Sequence, residues 1–136
     1  LSRWNKLRKR NALILFEILK NINGLRIPLP PKEVKHAWYK FNCYLNLSFL
    51  KNDWSRDRII YEIIQKGYPA FHGGCSEIYL EKCFKDLGLS LEKSLPNAKE
   101  LGETNLMFLV HPNISLDEMT RYAECVYSII NESLKY

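Results

Sequence analysis

Leu106-Met107-Phe108-Leu109-Val110-His111-Pro112-Asn113-Ile114-Ser115-Leu116-Asp117-Glu118-Met119 is the stretch that decides the fold class. The unbroken apolar run 106–110, closed by Pro112, suits a central strand covered on both faces. Ser115 and Glu118 stand at the spacing of a capping box, in which each side chain satisfies a free backbone donor at a helix start. Met119, Tyr122, Ala123, Val126, Ile129, Ile130 and Leu134 then recur at steps of three and four, which predicts a long C-terminal helix.

Upstream the same two periods alternate. Trp4, Leu7, Ile14, Leu15, Ile18, Leu19 and Ile22 follow helical spacing, and Gly24 can end that helix in a left-handed cap. Arg26-Ile27 fits a short edge strand, and Pro28, Pro30 and Pro31 enforce an extended connector. Residues 34–45 read as a strand whose apolar face carries Ala37, Tyr39, Phe41, Cys43 and Leu45. Ser55 caps a helix running to Lys66 on a stripe of Ile59, Ile60, Ile63 and Ile64, and Gly67 ends it. Tyr68, Ala70 and Phe71 begin a further strand that Gly73-Gly74 breaks. Short helices follow at Tyr79–Leu87 and Pro96–Leu101, with residues 88–95 as loop. Strands separated by helices predict a small α+β layer, and 136 residues suit one domain, 1–136.

The composition is that of a globular protein, 46% hydrophobic and 26% charged. Neither a secretory leader nor a run long enough to span a membrane is present, so no membrane association is expected. The chain opens at Leu1 without an initiator Met, as a trimmed piece or fragment would. The net charge is +5, and Arg3, Lys6, Arg8, Lys9 and Arg10 crowd the first ten residues. Such a cluster marks either an anion-binding patch or the solvated face of an amphipathic helix. The second reading is adopted, and nucleic acid is not expected as a partner. Cys43, Cys75, Cys83 and Cys125 show no C-x-x-C spacing, so neither a zinc nor a redox motif is indicated. They read as reduced, mostly buried thiols in a cytoplasmic protein.

Nucleophile, histidine and acid all occur, but nothing like a G-x-S-x-G context surrounds them. His72-Gly73-Gly74-Cys75 has two readings. It is a tight turn between strand and helix, or a place where backbone N–H groups approach an anion. His111, before Pro112, reads as a strand-end histidine satisfied by backbone rather than a base.

Beyond composition, several segments resemble a known family. Leu95-Pro96-Asn97-Ala98, continuing through Glu100 to the strand 106–110 and on to Ser115-Leu116-Asp117-Glu118, resembles a segment of the DegT/StrS-type sugar aminotransferases. Gly67-Tyr68-Pro69-Ala70-Phe71 is similar to the family's G-I-P strand, with Tyr68 for the usual Ile. Ser76–Lys82 resembles the following loop, and Ala37–Phe41 the Y-Y-K-F strand. Trp4-Asn5 with Arg8, Arg10, Asn11 and Ala12 resembles the helix linking the large and small domains.

The resemblance implies the small domain of a fold type I transaminase: a mostly antiparallel sheet packed with helices, the N-terminal and C-terminal ones long. It also implies that 1–23 is an interdomain-linking helix. The whole enzyme would use pyridoxal phosphate, held by a lysine of the larger domain, to move an amino group from glutamate onto a keto nucleotide sugar. It would act as a homodimer in the biosynthesis of surface glycans such as lipopolysaccharide. No lysine here lies in a matching motif, so no catalytic or cofactor-binding residue is assigned. Substrate contact is expected on Tyr68–Tyr79, with His72, Gly73, Gly74, Glu77 and Tyr79 as the binding residues. Many members carry a His-Tyr pair near this point; here Gly73-Gly74 stand there and the histidine comes one position earlier. The rival to this reading is a non-catalytic binding or regulatory domain.

Overall fold

The computed structural model describes residues 1–135 and is α+β. In chain order the elements are α1 (Ser2–Leu19), β1 (Leu25–Arg26), β2 (Phe41–Leu45), α2 (Arg56–Gln65), β3 (Ala70–Phe71), α3 (Lys82–Asp86), α4 (Pro96–Thr104), β4 (Asn105–Phe108) and α5 (Leu116–Ser133). Short 3-10 turns occupy Leu47–Phe49 and Ile78–Leu80. The four strands lie in the order β1-β2-β4-β3, every pair antiparallel. The long first and last helices pack on each other.

Pairing register explains the core. Phe41 lies opposite Phe108, Cys43 opposite Leu106 and Ala70 opposite Phe108, so one face of the sheet collects these side chains. They join Ala12, Leu15 and Leu19 of α1, Ile59 and Ile63 of α2, and Met119, Tyr122, Val126 and Ile130 of α5 in one buried cluster. Each fully buried aliphatic or aromatic side chain of this kind contributes roughly 1.5–3 kcal/mol. Met107 points the other way and is also buried, so β4 is covered on both faces as its unbroken apolar run predicts.

Caps follow the sequence. Ser115 Oγ accepts from the Glu118 N–H at 3.2 Å, and Ser55 Oγ from the Arg58 N–H at 3.1 Å. Beyond α2, Tyr68 N–H reaches Ile63 O and Gly67 N–H reaches Ile64 O, with Gly67 at φ +85°. That is a Schellman closure, which favours glycine because a residue without a Cβ escapes the steric penalty of the left-handed region.

Three local expectations need correction. The strand predicted over 34–45 begins only at Phe41, because Trp38 adopts φ +50° and breaks the alternation. Trp38 turns into the core at 6% exposure and stacks on Phe41, while Tyr39 is left 72% exposed. His36 Nδ1 accepts the Trp38 N–H at 3.1 Å and holds this bend. The α1 helix ends at Leu19, five residues before Gly24. Gly24, at φ +82°, instead leads into β1, where a Cβ would stand 2.9 Å from Phe49 Cγ. Finally, Ile64 is 48% exposed, at the edge of the α2 stripe rather than inside it.

Candidate functional site

The segment after β3 is positioned from beneath by β4, α4 and α5. Tyr68 stacks on Tyr122 with ring centroids 5.1 Å apart, and the Tyr122 hydroxyl donates to Pro69 O. Burial pushes the Tyr122 phenol well above its ordinary pKa, so it stays a neutral donor. Ala70 and Phe71 pair with Phe108 and Met107, and the strand stops there.

Gly73 then takes φ +92°, and a Cβ on it would lie 2.3 Å from Asn105 Nδ2. The missing side chain is therefore what lets the loop settle on the first residue of β4. Asn105 Oδ1, buried beneath, has no hydrogen-bond partner among the described residues. Ser76 seats in the same way on Gly102 of α4, whose Cβ would come 2.0 Å from Ser76 Oγ. Gly74, by contrast, faces open space. The two glycines thus have different reasons: the first is a packing contact, the second an exposed backbone.

Of the predicted binding residues, His72 and Gly74 are exposed and Gly73 half-buried. His72 Nε2 lies 3.5 Å from Asp57 Oδ1, and that oxygen also accepts from Arg56 Nε at 2.7 Å. The Arg56 guanidinium donates onward to Gly102 O. Arg56 thus joins Asp57 to α4, with His72 beside that carboxylate.

Glu77 and Tyr79 hold each other. Glu77 Oε1 accepts from the Tyr79 hydroxyl at 2.6 Å and from Ser94 Oγ at 2.7 Å. These bonds, Tyr79's first, hold the Glu77 carboxyl below its usual pKa. The Tyr79 ring is only 8% exposed, and its oxygen also accepts the Leu95 N–H at 2.8 Å. Its carbonyl takes Ser90 Oγ at 2.7 Å. The pair thus ties residues 90–95 to the loop, and the outward-facing groups are His72 and the backbone around Gly74.

No local pattern in the sequence marks Asp57, Arg56, Ser94 or Gly102. Their roles are set by contacts across the fold, and only Asn105, a polar residue opening an apolar strand, carries a local signal.

Elsewhere, a cleft of about 760 Å³ lies between the β1–β2 edge and α4, lined by Arg26, Tyr44, Phe49, Lys99 and Glu103. The Arg26 guanidinium sits 4.4 Å over the Tyr44 ring. Among the described residues, no group of three or more His, Cys, Asp or Glu is placed to hold a metal ion. No helix there is long and apolar enough to cross a membrane. Every lysine is exposed or half-exposed. A cofactor imine is protected from hydrolysis only where its amine is shielded from water, and no lysine among the described residues is buried, so the residues of this chain do not by themselves fit pyridoxal phosphate.

No family model matches the chain. A protein of uncharacterised function from Methanocaldococcus jannaschii is 25% identical over 129 residues, 94% of this chain and 32% of its own length. An aminotransferase from Psychrobacter cryohalolentis is 38% identical, with a TM-score of 0.87, over 96% of this chain and 35% of that one. A DegT/DnrJ/EryC1/StrS aminotransferase from Brucella abortus has a TM-score of 0.72 at 20% identity, over 92% and 31%. The chain thus spans about a third of the relatives it matches. Its fold is that of a stretch making up about a third of these solved aminotransferases.

Proposed function

We propose that this chain, 1–136, is the small domain of a pyridoxal-phosphate-dependent aminotransferase that passes an amino group from glutamate to a keto nucleotide sugar for surface-polysaccharide synthesis. The observation that carries the reading is 38% identity to an aminotransferase over 96% of the chain, with a TM-score of 0.87. On this reading α1 links the two domains, the intact enzyme is a cytoplasmic homodimer, and the larger domain supplies the cofactor lysine. The loop 72–79 meets the nucleotide sugar. His72 and the Gly73-Gly74 backbone offer donors to a phosphate or sugar hydroxyl, and the Glu77–Tyr79 pair holds that surface in shape. None of these groups transfers a proton.

The test uses the protein translated from the coding sequence that includes whatever lies upstream of Leu1. It should absorb as a pyridoxal-phosphate enzyme and aminate a keto nucleotide sugar at the expense of glutamate. His72→Ala should weaken sugar binding several-fold, as loss of about one hydrogen bond does, with cofactor absorbance unchanged. Gly73→Val should weaken it further, since Asn105 blocks its side chain. If both variants keep the parent's affinity, the loop is only a turn. A protein with no cofactor band refutes the whole reading. The 136-residue chain alone, reduced with borohydride in pyridoxal phosphate, should label only as scattered surface lysines.

A further inference from the structure

The bend ahead of β2 stands on one hydrogen bond to a titratable ring. Among the described residues, Trp38 is the one other than glycine with a positive φ, +50°. A bulky aromatic rarely adopts that left-handed region, because its Cβ crowds the backbone there. Against that cost stands the Trp38 N–H, which donates to His36 Nδ1 at 3.1 Å, with the two rings edge to face and their centroids 4.6 Å apart. The indole is only 6% exposed and stacks on Phe41. The same bond to the residue two positions on recurs at His111 and Asn113 with no left-handed residue, and with a carboxamide acceptor at Asn46 and Ser48.

Only a neutral imidazole can accept there. A protonated ring carries N–H on both nitrogens, so Nδ1 would set a donor against a donor. The new charge would also lack a counterion. The cleft that His36 lines takes Lys6 and Lys9 from α1, Lys32 and Lys35 from the connector, and no acid. Losing the bond still leaves the segment a second conformation. The β2–β4 register, with Phe41 opposite Phe108, continues backward to Lys40 opposite Leu109 and Tyr39 opposite Val110. Along a regular strand Tyr39 falls on the Phe41 face and Trp38 on the other. That is the alternation the residues from Ala37 to Leu45 spell out. Tyr39, 72% exposed in the bent form, is the side chain an extended form brings inward.

We propose that residues 36–40 form a two-state switch set by the protonation of His36. With the imidazole neutral, Trp38 lies inside and Tyr39 outside. With it protonated, β2 extends back through Lys40 and Tyr39, the tyrosine turns in and the tryptophan turns out. The two packings compete because each concedes something. The bend buries the larger apolar ring but holds Trp38 in a disfavoured conformation; the strand relieves that conformation but buries a phenol. The direction follows from which form holds the proton. The bent form needs the neutral ring, so it is populated at higher pH and lost as pH falls through the titration of His36. The switch is independent of the aminotransferase reading.

Hydroxyl-radical footprinting of the protein translated from the complete coding sequence, mapped by mass spectrometry, reads both rings at once. Between about pH 8 and about pH 5, either side of the ordinary histidine range, oxidation of Trp38 should rise several-fold and that of Tyr39 should fall several-fold. Tyr122, 2% exposed, should stay protected throughout. His36→Asn keeps an acceptor for the Trp38 N–H, as Asn46 does for Ser48, and cannot titrate. It should hold the high-pH pattern across the whole range. His36→Ala has no acceptor and should show the acid pattern at both ends; if it fails to fold, the Asn variant still decides. Unchanged rates in the parent, exposure of Trp38 without protection of Tyr39, or an exchange that persists in His36→Asn would each overturn the proposal. So would labelling of Tyr122 together with Trp38, since the whole core would then be opening.

Discussion

Single residues in this fold carry more than their type suggests. Arg10 belongs to a basic cluster that reads as solvated, yet its guanidinium donates to Asn11 Oδ1 and, at 2.9 Å, to Ile114 O. Asn11 is fully buried and gives its amide to His111 O at 2.8 Å. Two consecutive residues of the first helix thereby fasten the turn between β4 and α5. Asn11→Ala would leave the His111 carbonyl and part of a guanidinium unpaired. It should cost about 1–3 kcal/mol, read as a lower urea midpoint at unchanged m-value. The motif Arg10-Asn11-Ala12 was visible in the sequence, but its purpose was not, because its partners lie about a hundred positions away. Trp38 teaches the same point. Strict alternation assigned it to the polar side, and one left-handed φ reversed the parity, which no side-chain pattern encodes.

Elements were legible where the signals that end them are local. Ser55, Gly67 and Ser115 each mark a helix boundary by satisfying backbone groups within a few residues, and all three stand where the sequence puts them. Ser115→Ala should cost about 1 kcal/mol by thermal or urea unfolding. The loop 72–79 was harder to read, because Gly73 is explained by Asn105 and Tyr79 by Ser94 and Leu95. Its behaviour with pH follows from Glu77, whose pKa is depressed first by Tyr79 and then by Ser94. A depressed carboxyl contributes stability above its unfolded value, about 4.3, and loses it as pH falls through the lower folded value. Protection of the Leu95 amide from exchange, corrected for intrinsic rate, should therefore drop in acid as pH falls from that unfolded value through the lower folded one. Glu77→Gln should remove that step. An unchanged profile in the variant would mean that another group governs the loop.

At the scale of the whole molecule, thiol chemistry reports burial. All four cysteines are free. Cys75 and Cys83 are exposed, against the expectation of mostly buried cysteines, Cys125 is half-buried and Cys43 fully buried, its pKa pushed up by desolvation. Cys75 Sγ lies 3.1 Å from Glu81 Oε1, which also raises its pKa. Reactivity follows exposure and thiolate fraction. Native protein should therefore modify first at Cys83, then at Cys75, and at Cys43 only on unfolding, with four equivalents once denatured. Mass spectrometry of a timed reaction checks the order; early labelling of Cys43 would show that the core opens. The order of the strands has a further consequence, in time rather than space. Among the described residues the strand that joins the two halves of the sheet is the last strand in chain order, and the helix that covers the first helix comes after it. A nascent chain released only as far as Asn113 has no partner for Leu15 and Leu19 from α5. Until α5 follows it, that side of α1 stays uncovered.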